Sequence, residues 1–554
     1  MNSETAPRPG GHAVVEQLLE HGVDRAFGVP GESYLAVLDG LYEHREAIDM
    51  VVTRQEGGAA MMAAAHGRLT GRPGVCLVTR GPGATNASIG VHVASQDASP
   101  MVLFVGQVPR SRRGTRAFQE IDYAAMFGTV AKEVVEIDLP ERVPELVARA
   151  LTTAVAGEPG PVVVVLPEDV LTERTTAPVI PHRPSARSQP YPADTERAVE
   201  LLTTARSPVV IVGRCGWSEA GLERLRTFAE SSAIPVATTV RCQDLIDNSS
   251  PAYVGTLGLR TTPGLDRRLE GADLVVLLGT RPDALSAAEL PLKGGSGSAE
   301  GPAVVHVYPE PTVLAHTFPS ELAIAASPEA FLETLPENLE RSSEREEWCA
   351  ALRRRLVEGY DMGAADEQAA AFMRVFDKHA PTDAVLTMGA GNYTAWAQRH
   401  HRYTVYPSQV ATQSGAMGYG VPAAVAAAFA QPDRKVVAFA GDGCFLMTGQ
   451  ELATMARYRL DVLTVVVNNS RYGTIRDHQE RHYPGRVSGT GLTNPDFVQL
   501  AQSFGAAAAR VGTAEEFSDA LAKLLDTPGP SLIEIEFDMP ATRPSPPSHA
   551  GAPA

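Results

Sequence analysis

Short apolar runs alternate with longer segments of helical spacing along almost the whole chain. In the first third, AFGV, DMVVT, GVCLVT and PMVLFVG have the length and β-branched content of strands. Between them, YLAVLDGLYEH, EGGAAMMAAAHGRLTG and ATNASIGVHVASQ have helix length and alanine-rich faces. The strand runs are continuously apolar, which predicts parallel strands covered on both faces. PVVIVG, LERLRTFAESSA, IPVATTV, ADLVVLLG and AVVHVYP make a second such series, and a third follows it. The predicted fold is therefore three consecutive α/β domains, at residues 1–178, 195–340 and 365–540, each a mainly parallel sheet covered by helices. The proline-rich TTAPVIPHRPSARSQPYPA reads as an extended linker over 179–194, and the charged stretch 341–364 as a helical linker. LKGGSGSAEGP reads as a surface loop, and the tail 541–554 is expected to be disordered. The first and third blocks share a plan, a hint of internal duplication.

Composition narrows the function. A chain of 554 residues with 44% hydrophobic content can bury full cores. A net charge of −17, from 48 basic and 65 acidic residues, argues against general nucleic-acid or anionic-membrane binding. The five cysteines are scattered and odd in number, which points to a reducing cytoplasm. The N-terminal stretch lacks the pattern of a secretory signal, and no apolar run is long enough to predict a membrane span.

The candidate chemistry begins in KVVAFAGDGCFLMTGQELATMARYRLDVLTVVVNNSRYG, residues 435–473. In open α/β sheets, ligands gather at the carboxyl ends of strands. Asp442, between Gly441 and Gly443, would leave such an end, and Asn468 and Asn469 would leave the next. A helix expected near MTGQELATMARY would offer its N-terminal amides to an anion. One carboxylate, one carboxamide and backbone carbonyls suit Mg²⁺ shared with a diphosphate. By itself Gly-Asp-Gly is no more than a strand-ending turn.

With 24 residues (444–467) between the two motifs, the stretch resembles the diphosphate-binding motif of thiamin-diphosphate-dependent enzymes. The resemblance assigns Asp442, Asn469 and the carbonyl of Arg471 as Mg²⁺ ligands. It also requires a carboxyl group beside the cofactor's aminopyrimidine, and Glu56 in VVTRQEGGAAMMAAAHGRLTG is the candidate. As an isolated residue, Glu56 would simply complement a helix N-terminus. FGVPGES, RQEGGAAMMAAAHGR, TRGPGATNA, GQVPR and GTRAFQEID, in that order, together resemble the pyrimidine-binding domain of the acetolactate synthase (acetohydroxyacid synthase) large-subunit family. GAMGYGVPAA matches that family's cofactor loop.

Membership of that family would imply thiamin diphosphate and Mg²⁺ as cofactors. It would also imply that a 2-oxo acid such as pyruvate is decarboxylated and its acyl carbanion transferred to an acceptor. By the same resemblance, the carbonyl of Gly415 and the amide of Met417 would hold the aminopyrimidine, with the Met417 side chain wedged beneath the cofactor. Pro30, Asn86, Gly441, Gly443 and Cys444 would join Glu56 as cofactor contacts. Phe118 and Gln119 would line the space above the reactive carbon. Gln119 can orient a carbonyl without supplying a proton quickly, which favours carboligation. A homodimer or homotetramer with sites at the subunit interface is implied, and a regulatory small subunit is left open.

The chain departs from the family at several points. Arg80 replaces a usual serine before GPGATN, either as an ion-pairing residue at an interface or as a binder of a substrate carboxylate. Glu32 stands where a small residue is usual, and Glu168 where a lysine is usual. GAGNYTAW lacks the family's Gln-His form, leaving Asn392 and Tyr393 for the diphosphate. Family members often hold FAD in the central domain. IVGRCGW (Gly213, Gly216) and GTRPDALS (Arg281) match the flavin segments in part, but a second arginine is absent, so FAD stays open.

The close alternative is a thiamin-dependent decarboxylase or C–C lyase with another donor. LVTRGPGATN offers Thr79 and Arg80 and no histidine, and His92 falls where it would pack or face solvent, which weakens that alternative. A nicotinamide-dependent oxidoreductase would need a complete G-x-G-x-x-G opening a helix, and none is present. A non-catalytic relative need not keep Glu56, Asp442 and Asn469 together.

Overall fold

The computed structural model describes residues 6–258, 262, 264–281, 301–314, 319–361 and 367–537. Most of the glycine-rich loop and all of the C-terminal tail singled out above lie outside the described residues. Three six-stranded parallel sheets follow one another along the chain.

The first sheet comprises β1 (Arg25–Gly28), β2 (Asp49–Val52), β3 (Gly74–Val78), β4 (Met101–Gln107), β5 (Glu133–Glu136) and β6 (Pro161–Pro167), in the order β2-β1-β3-β4-β6-β5. The second comprises β7 (Pro208–Val212), β8 (Val236–Thr238), β9 (Tyr253–Thr256), β10 (Leu274–Leu278), β11 (Ala303–Val307) and β12 (Leu322–Ile324), in the order β9-β8-β7-β10-β11-β12. The third comprises β13 (Val385–Met388), β14 (Gln409–Ala411), β15 (Val436–Gly441), β16 (Val462–Asn468), β17 (Ala507–Val511) and β18 (Ser531–Glu536), in the order β14-β13-β15-β16-β18-β17. Counted from its own first strand, the third sheet repeats the order of the first. The likeness in plan is therefore a likeness in topology. The central sheet instead has the doubly wound 3-2-1-4-5-6 order of dinucleotide-binding domains.

The central strands are buried along their length, as their unbroken valine, isoleucine and leucine runs require. Residues 176–191 run without helix or strand between the first two domains, and the helix Ser343–Asp361 precedes the third.

The first and third domains share one apolar core. The helix Glu56–Thr70, whose N-terminal amide at Gly58 is capped by the Gln55 side chain, packs on Pro82–Gln96 and on Gly420–Ala430. Small side chains permit this close approach: a Cβ on Gly90 would lie 2.3 Å from the Ala60 Cβ. Across the same boundary, Arg25 lies over the Phe429 ring at 4.4 Å, and the Val52 amide donates to the Tyr458 hydroxyl at 2.8 Å.

Candidate active site

β15 and β16 are neighbours, with Gly441 opposite Val467, so the two motifs leave adjacent strand ends side by side. A cavity of about 230 Å³ opens there. Gly441, Asp442, Gly443 and Cys444 form one wall, and Asn469 and Arg471 another. Asn392, Tyr393, Gly415 and Met417 also line it. A broader hollow of about 510 Å³ lies on the central domain between Thr195–Thr204 and Thr334, but its lining has no convergent set of functional groups.

Asp442 is 2% exposed. Its Oδ2 accepts from Asn494 Nδ2 at 2.7 Å, and the amides of Gly443, Ser470 and Arg471 also bond to it. Burial still pushes its carboxyl above the usual carboxylate range. A buried carboxylate whose partners are all neutral amides keeps its full charge for a cation to neutralise. Asn494 also donates to Asn468 Oδ1 at 2.8 Å, and its own Oδ1 is buried without a hydrogen-bond partner. Among the described residues no three His, Cys, Asp or Glu side chains cluster as a metal site. The donor set is one carboxylate and one carboxamide with a backbone carbonyl, which fits Mg²⁺ carrying phosphate and water ligands.

The two asparagines divide. Asn469 lines the cavity, whereas Asn468 turns its Nδ2 to Glu534 at 2.7 Å and its Oδ1 to the Ser470 amide at 3.1 Å. The anion-binding helix differs from the expectation. Asp442 itself starts a helical turn, Asp442–Phe445, and the helix after it begins only at Leu452. The helix whose N-terminus meets the cavity is Gly473–His482, which has no side-chain cap; the Gly473 amide donates to the Arg471 carbonyl at 2.9 Å, which leaves the amides of Thr474 and Ile475 for a phosphate. Its residues also hold Asn392: the Thr474 hydroxyl donates to Asn392 Oδ1 at 2.6 Å, and Asn392 Nδ2 donates to Asp477 at 2.8 Å. Tyr393 presents its ring, because its hydroxyl is taken up by the Gly389 amide and the Cys444 thiol. That thiol also receives the Gly418 amide at 3.1 Å, which secures the far side of the Gly415–Met417 loop. Gly415 has φ +71°, a left-handed turn that favours glycine.

The remaining predicted residues gather at the carboxyl edge of the first sheet, and none lines this cavity. Pro30 and Glu32 follow β1, Glu56 follows β2, Arg80 and Asn86 follow β3, Phe118 and Gln119 follow β4, and Glu168 follows β6. Asn86 Nδ2 donates to Glu56 Oε2 at 2.9 Å. Gln119 has φ +65°, and a Cβ on Gly81 would lie 2.9 Å from its Cβ, so Gln119 packs this closely on the turn only with glycine at position 81. Phe118 is 75% exposed. His92 is exposed, in line with the solvent alternative.

Arg80 is buried between two of the other departures from the family pattern, Glu32 and Glu168. It donates to Glu32 at 2.8 Å and to Glu168 at 3.4 Å, and its amide donates to Ser33 Oγ at 3.2 Å. Three substitutions scattered in sequence are therefore one ion-pair group, and Arg80 finds its carboxylates within its own chain.

Glu451 carried no recognisable sequence pattern. Fully buried, it accepts from the Arg54 amide at 3.1 Å and from the Thr454 hydroxyl at 2.6 Å, tying the third domain to the turn that carries Glu56. Asn494 was missed as well, because it lies 25 residues beyond Asn469, in a loop with no motif. The cysteines are buried and unpaired, and burial lifts the Cys215 and Cys242 thiols to about 12, so these two are not nucleophiles.

Among the described residues, the flavin segments do not fit a dinucleotide. After β7 the turn is closed by the Trp217 indole, which donates to the Gly213 carbonyl at 2.7 Å. The following helix is capped by Ser218, whose hydroxyl donates to Glu329 at 2.7 Å, and it starts at Glu219. A capped N-terminus flanked by carboxylates is unfavourable for a diphosphate. Arg281 is paired with Glu158 at 2.8 Å and with the Gln96 carbonyl at 2.6 Å. The rest of GTRPDALS lies outside the described residues.

Models of the thiamine pyrophosphate enzyme family match the chain in order: the N-terminal TPP binding domain at 8–126, the central domain at 195–335, and the C-terminal TPP binding domain at 389–535. The acetolactate synthase isozyme 2 large subunit of Escherichia coli (strain K12) is 32% identical over 533 residues, covering 96% of this chain and 95% of that one. The acetolactate synthase large subunit of Corynebacterium glutamicum is 33% identical over 534 residues, covering 93% and 84%. The mitochondrial acetolactate synthase catalytic subunit of Saccharomyces cerevisiae is 30% identical over 556 residues, covering 96% and 80%. No helix among the described residues is long and apolar enough to cross a membrane.

Proposed function

The chain belongs to the thiamine pyrophosphate enzymes of the acetolactate synthase type, and from that premise we propose how its residues make one active site. It is a thiamin-diphosphate- and Mg²⁺-dependent carboligase acting on a 2-oxo acid, as its relatives' names imply. In our reading, the cavity at the third sheet of one copy faces the carboxyl edge of the first sheet of a second copy. The observation that carries this reading is the division of the site residues: Asp442, Asn469 and Arg471 converge on one cavity, and Glu56 stands outside it. Both edges also expose apolar side chains. Leu35, Ile89 and Phe118 lie at one, and Leu446, Met447 and Ile475 at the other, as surfaces made to be covered would have.

Asp442 and Asn469, with the Arg471 carbonyl, would hold Mg²⁺, and the Thr474 and Ile475 amides at the start of Gly473–His482 would hold phosphate oxygens. The bound cofactor supplies a nucleophilic carbon and an electron sink for loss of CO₂ from a 2-oxo acid. Glu56, oriented by Asn86, would hold a proton at its carboxyl oxygen for the aminopyrimidine edge. Gln119 directs its carboxamide at a substrate carbonyl, and Phe118 keeps water from the reacting atoms. With pyruvate as both donor and acceptor, two pyruvates and one proton give acetolactate and CO₂.

The test is purified protein with thiamin diphosphate, Mg²⁺ and pyruvate, with products identified by mass spectrometry. Acetolactate is expected, and acetaldehyde as sole product would favour a decarboxylase instead. Glu56→Gln should lose turnover while still binding the cofactor; full activity in that variant would overturn the assignment of Glu56.

A further inference from the structure

The loop Gly415–Met417 is preceded by a segment that the other two domains grip. Arg68, from the first domain, donates to the carbonyls of Ala411 at 2.6 Å and Gln409 at 2.5 Å. Arg214, from the central domain, donates to Ala411 at 3.0 Å and to the Arg241 carbonyl at 2.6 Å. Arg241 donates to the Thr412 carbonyl and sits at φ +61°, a left-handed conformation that a non-glycine residue adopts only when its surroundings impose it. Asp97 of the first domain accepts from the Gln413 amide at 2.7 Å and the Thr412 hydroxyl at 3.1 Å. Asp244 of the central domain receives the amides of Ser408 and Gln409, each at 3.0 Å. The grip continues into the loop: the Thr412 and Ser414 hydroxyls are 2.6 Å apart, and the Ala416 amide donates to Ser414 Oγ at 3.3 Å.

Arg214 and Asp97 have side chains 9% and 0% exposed and stand 3.7 Å apart. Buried charges are retained in a fold only when paired or hydrogen-bonded. Here the guanidinium groups are directed at main-chain carbonyls of one strand and its exit. Arg214 lies inside IVGRCGW, between the glycines Gly213 and Gly216, in the turn that the sequence pattern offered to a flavin.

We infer that Arg68, Arg214 and Arg241 form a clasp made only of protein, which positions the Gly415–Met417 cofactor loop and takes the place of a flavin as the link between the central domain and the active site. The inference rests on the functional reading above, in which that loop receives the aminopyrimidine. Arg214 is a positioning residue, acting on the loop through Ala411 and the Thr412–Ser414 contact.

The experiment uses full-length protein. Its absorbance between 400 and 500 nm, before and after denaturation, should show no stoichiometric flavin; one flavin per chain would overturn the inference. Thiamin diphosphate with Mg²⁺ is then titrated by near-UV circular dichroism into wild type, Arg214→Gln, Arg214→Lys and Ser414→Ala, with far-UV spectra and melting curves recorded beside it. Arg214→Gln is expected to bind roughly tenfold or more weakly, since two charge-assisted bonds are lost. Arg214→Lys should recover part of this, because an ammonium can replace one bond but not the two-carbonyl fork. Ser414→Ala leaves every buried charge in place and decides the matter if the arginine variants do not fold; it should weaken binding several-fold at unchanged melting temperature. Affinities within twofold of wild type in the folded variants would overturn the clasp. Failure of wild type to bind thiamin diphosphate would overturn the functional reading, and the inference with it.

Discussion

Asn494 offers a sharp test of the metal assignment, because it touches the Asp442 carboxylate without lining the cavity. Its Nδ2 bridges Asp442 Oδ2 at 2.7 Å and Asn468 Oδ1 at 2.8 Å, across the ends of two adjacent strands. Asn494→Ala removes one hydrogen bond to a charged acceptor, worth about 1.5–3 kcal/mol. At about 1.4 kcal/mol per decade, this is roughly a 10- to 100-fold loss if it falls entirely on metal affinity, the range seen when a residue orienting a metal ligand is removed. The lost amide leaves Asp442 held by the main-chain amides of Gly443, Ser470 and Arg471 alone, so the loss should appear as weaker metal binding rather than as unfolding. Mn²⁺ binding followed by electron paramagnetic resonance, at saturating thiamin diphosphate, reads this directly, with Mg²⁺ as competitor. Asn494→Asp should be at least as damaging, because it sets a second carboxylate against the first. A Mn²⁺ affinity for Asn494→Ala within twofold of wild type would refute the reasoning and move the metal away from Asp442.

Further perturbations probe other parts of the molecule. His66 is 6% exposed on the helix that carries Glu56, and burial lowers its pKa from 6.5 to about 4. The folded state therefore binds fewer protons than the unfolded chain between these values, and stability falls as pH drops from 6.5 towards 4, by about 3 kcal/mol at most. Melting curves of wild type and His66→Gln should diverge across that window, and parallel pH profiles would exclude His66 as the cause. Arg80→Ala should lower kcat by loosening the Gly81 turn against Gln119 while leaving KM for each accepted 2-oxo acid within about threefold; a selective tenfold rise in KM would place Arg80 on the substrate carboxylate instead. Because Glu32 and Glu168 are 68% and 43% exposed, Glu32→Gln and Glu168→Gln should each cost less than about 1 kcal/mol of stability in denaturant titrations.

The strands that are legible in the sequence are the continuously apolar ones, such as Met101–Gln107 and Pro208–Val212, where burial on both faces leaves few polar positions to confuse the period. The short edge strands β9, with Gly255 in its middle, and β12 carry too few apolar residues to stand out. Asp442 and Asn469 were legible because a metal-bound diphosphate needs oxygen donors and glycine turns at fixed separation along one chain. The cap-free helix at Gly473 was not, since the segment MTGQELATMARY has the better helical pattern and only the folded chain shows which N-terminus faces the cavity.

By itself the sequence determined the local units: which runs must be buried strands, where turns must carry glycine, and which side chains could hold a diphosphate and its metal. Tertiary structure decided what those units meet. It turned Glu32, Arg80 and Glu168 into one ion-pair group and made Asn494 the partner of Asp442. It also filled the flavin-like turn with Arg214, reaching 197 residues along the chain to Ala411. The reason is physical: periodicity and turn chemistry act over a few residues and leave a mark in the sequence, whereas pairing between buried charges depends on distances in space that neighbouring residues do not encode.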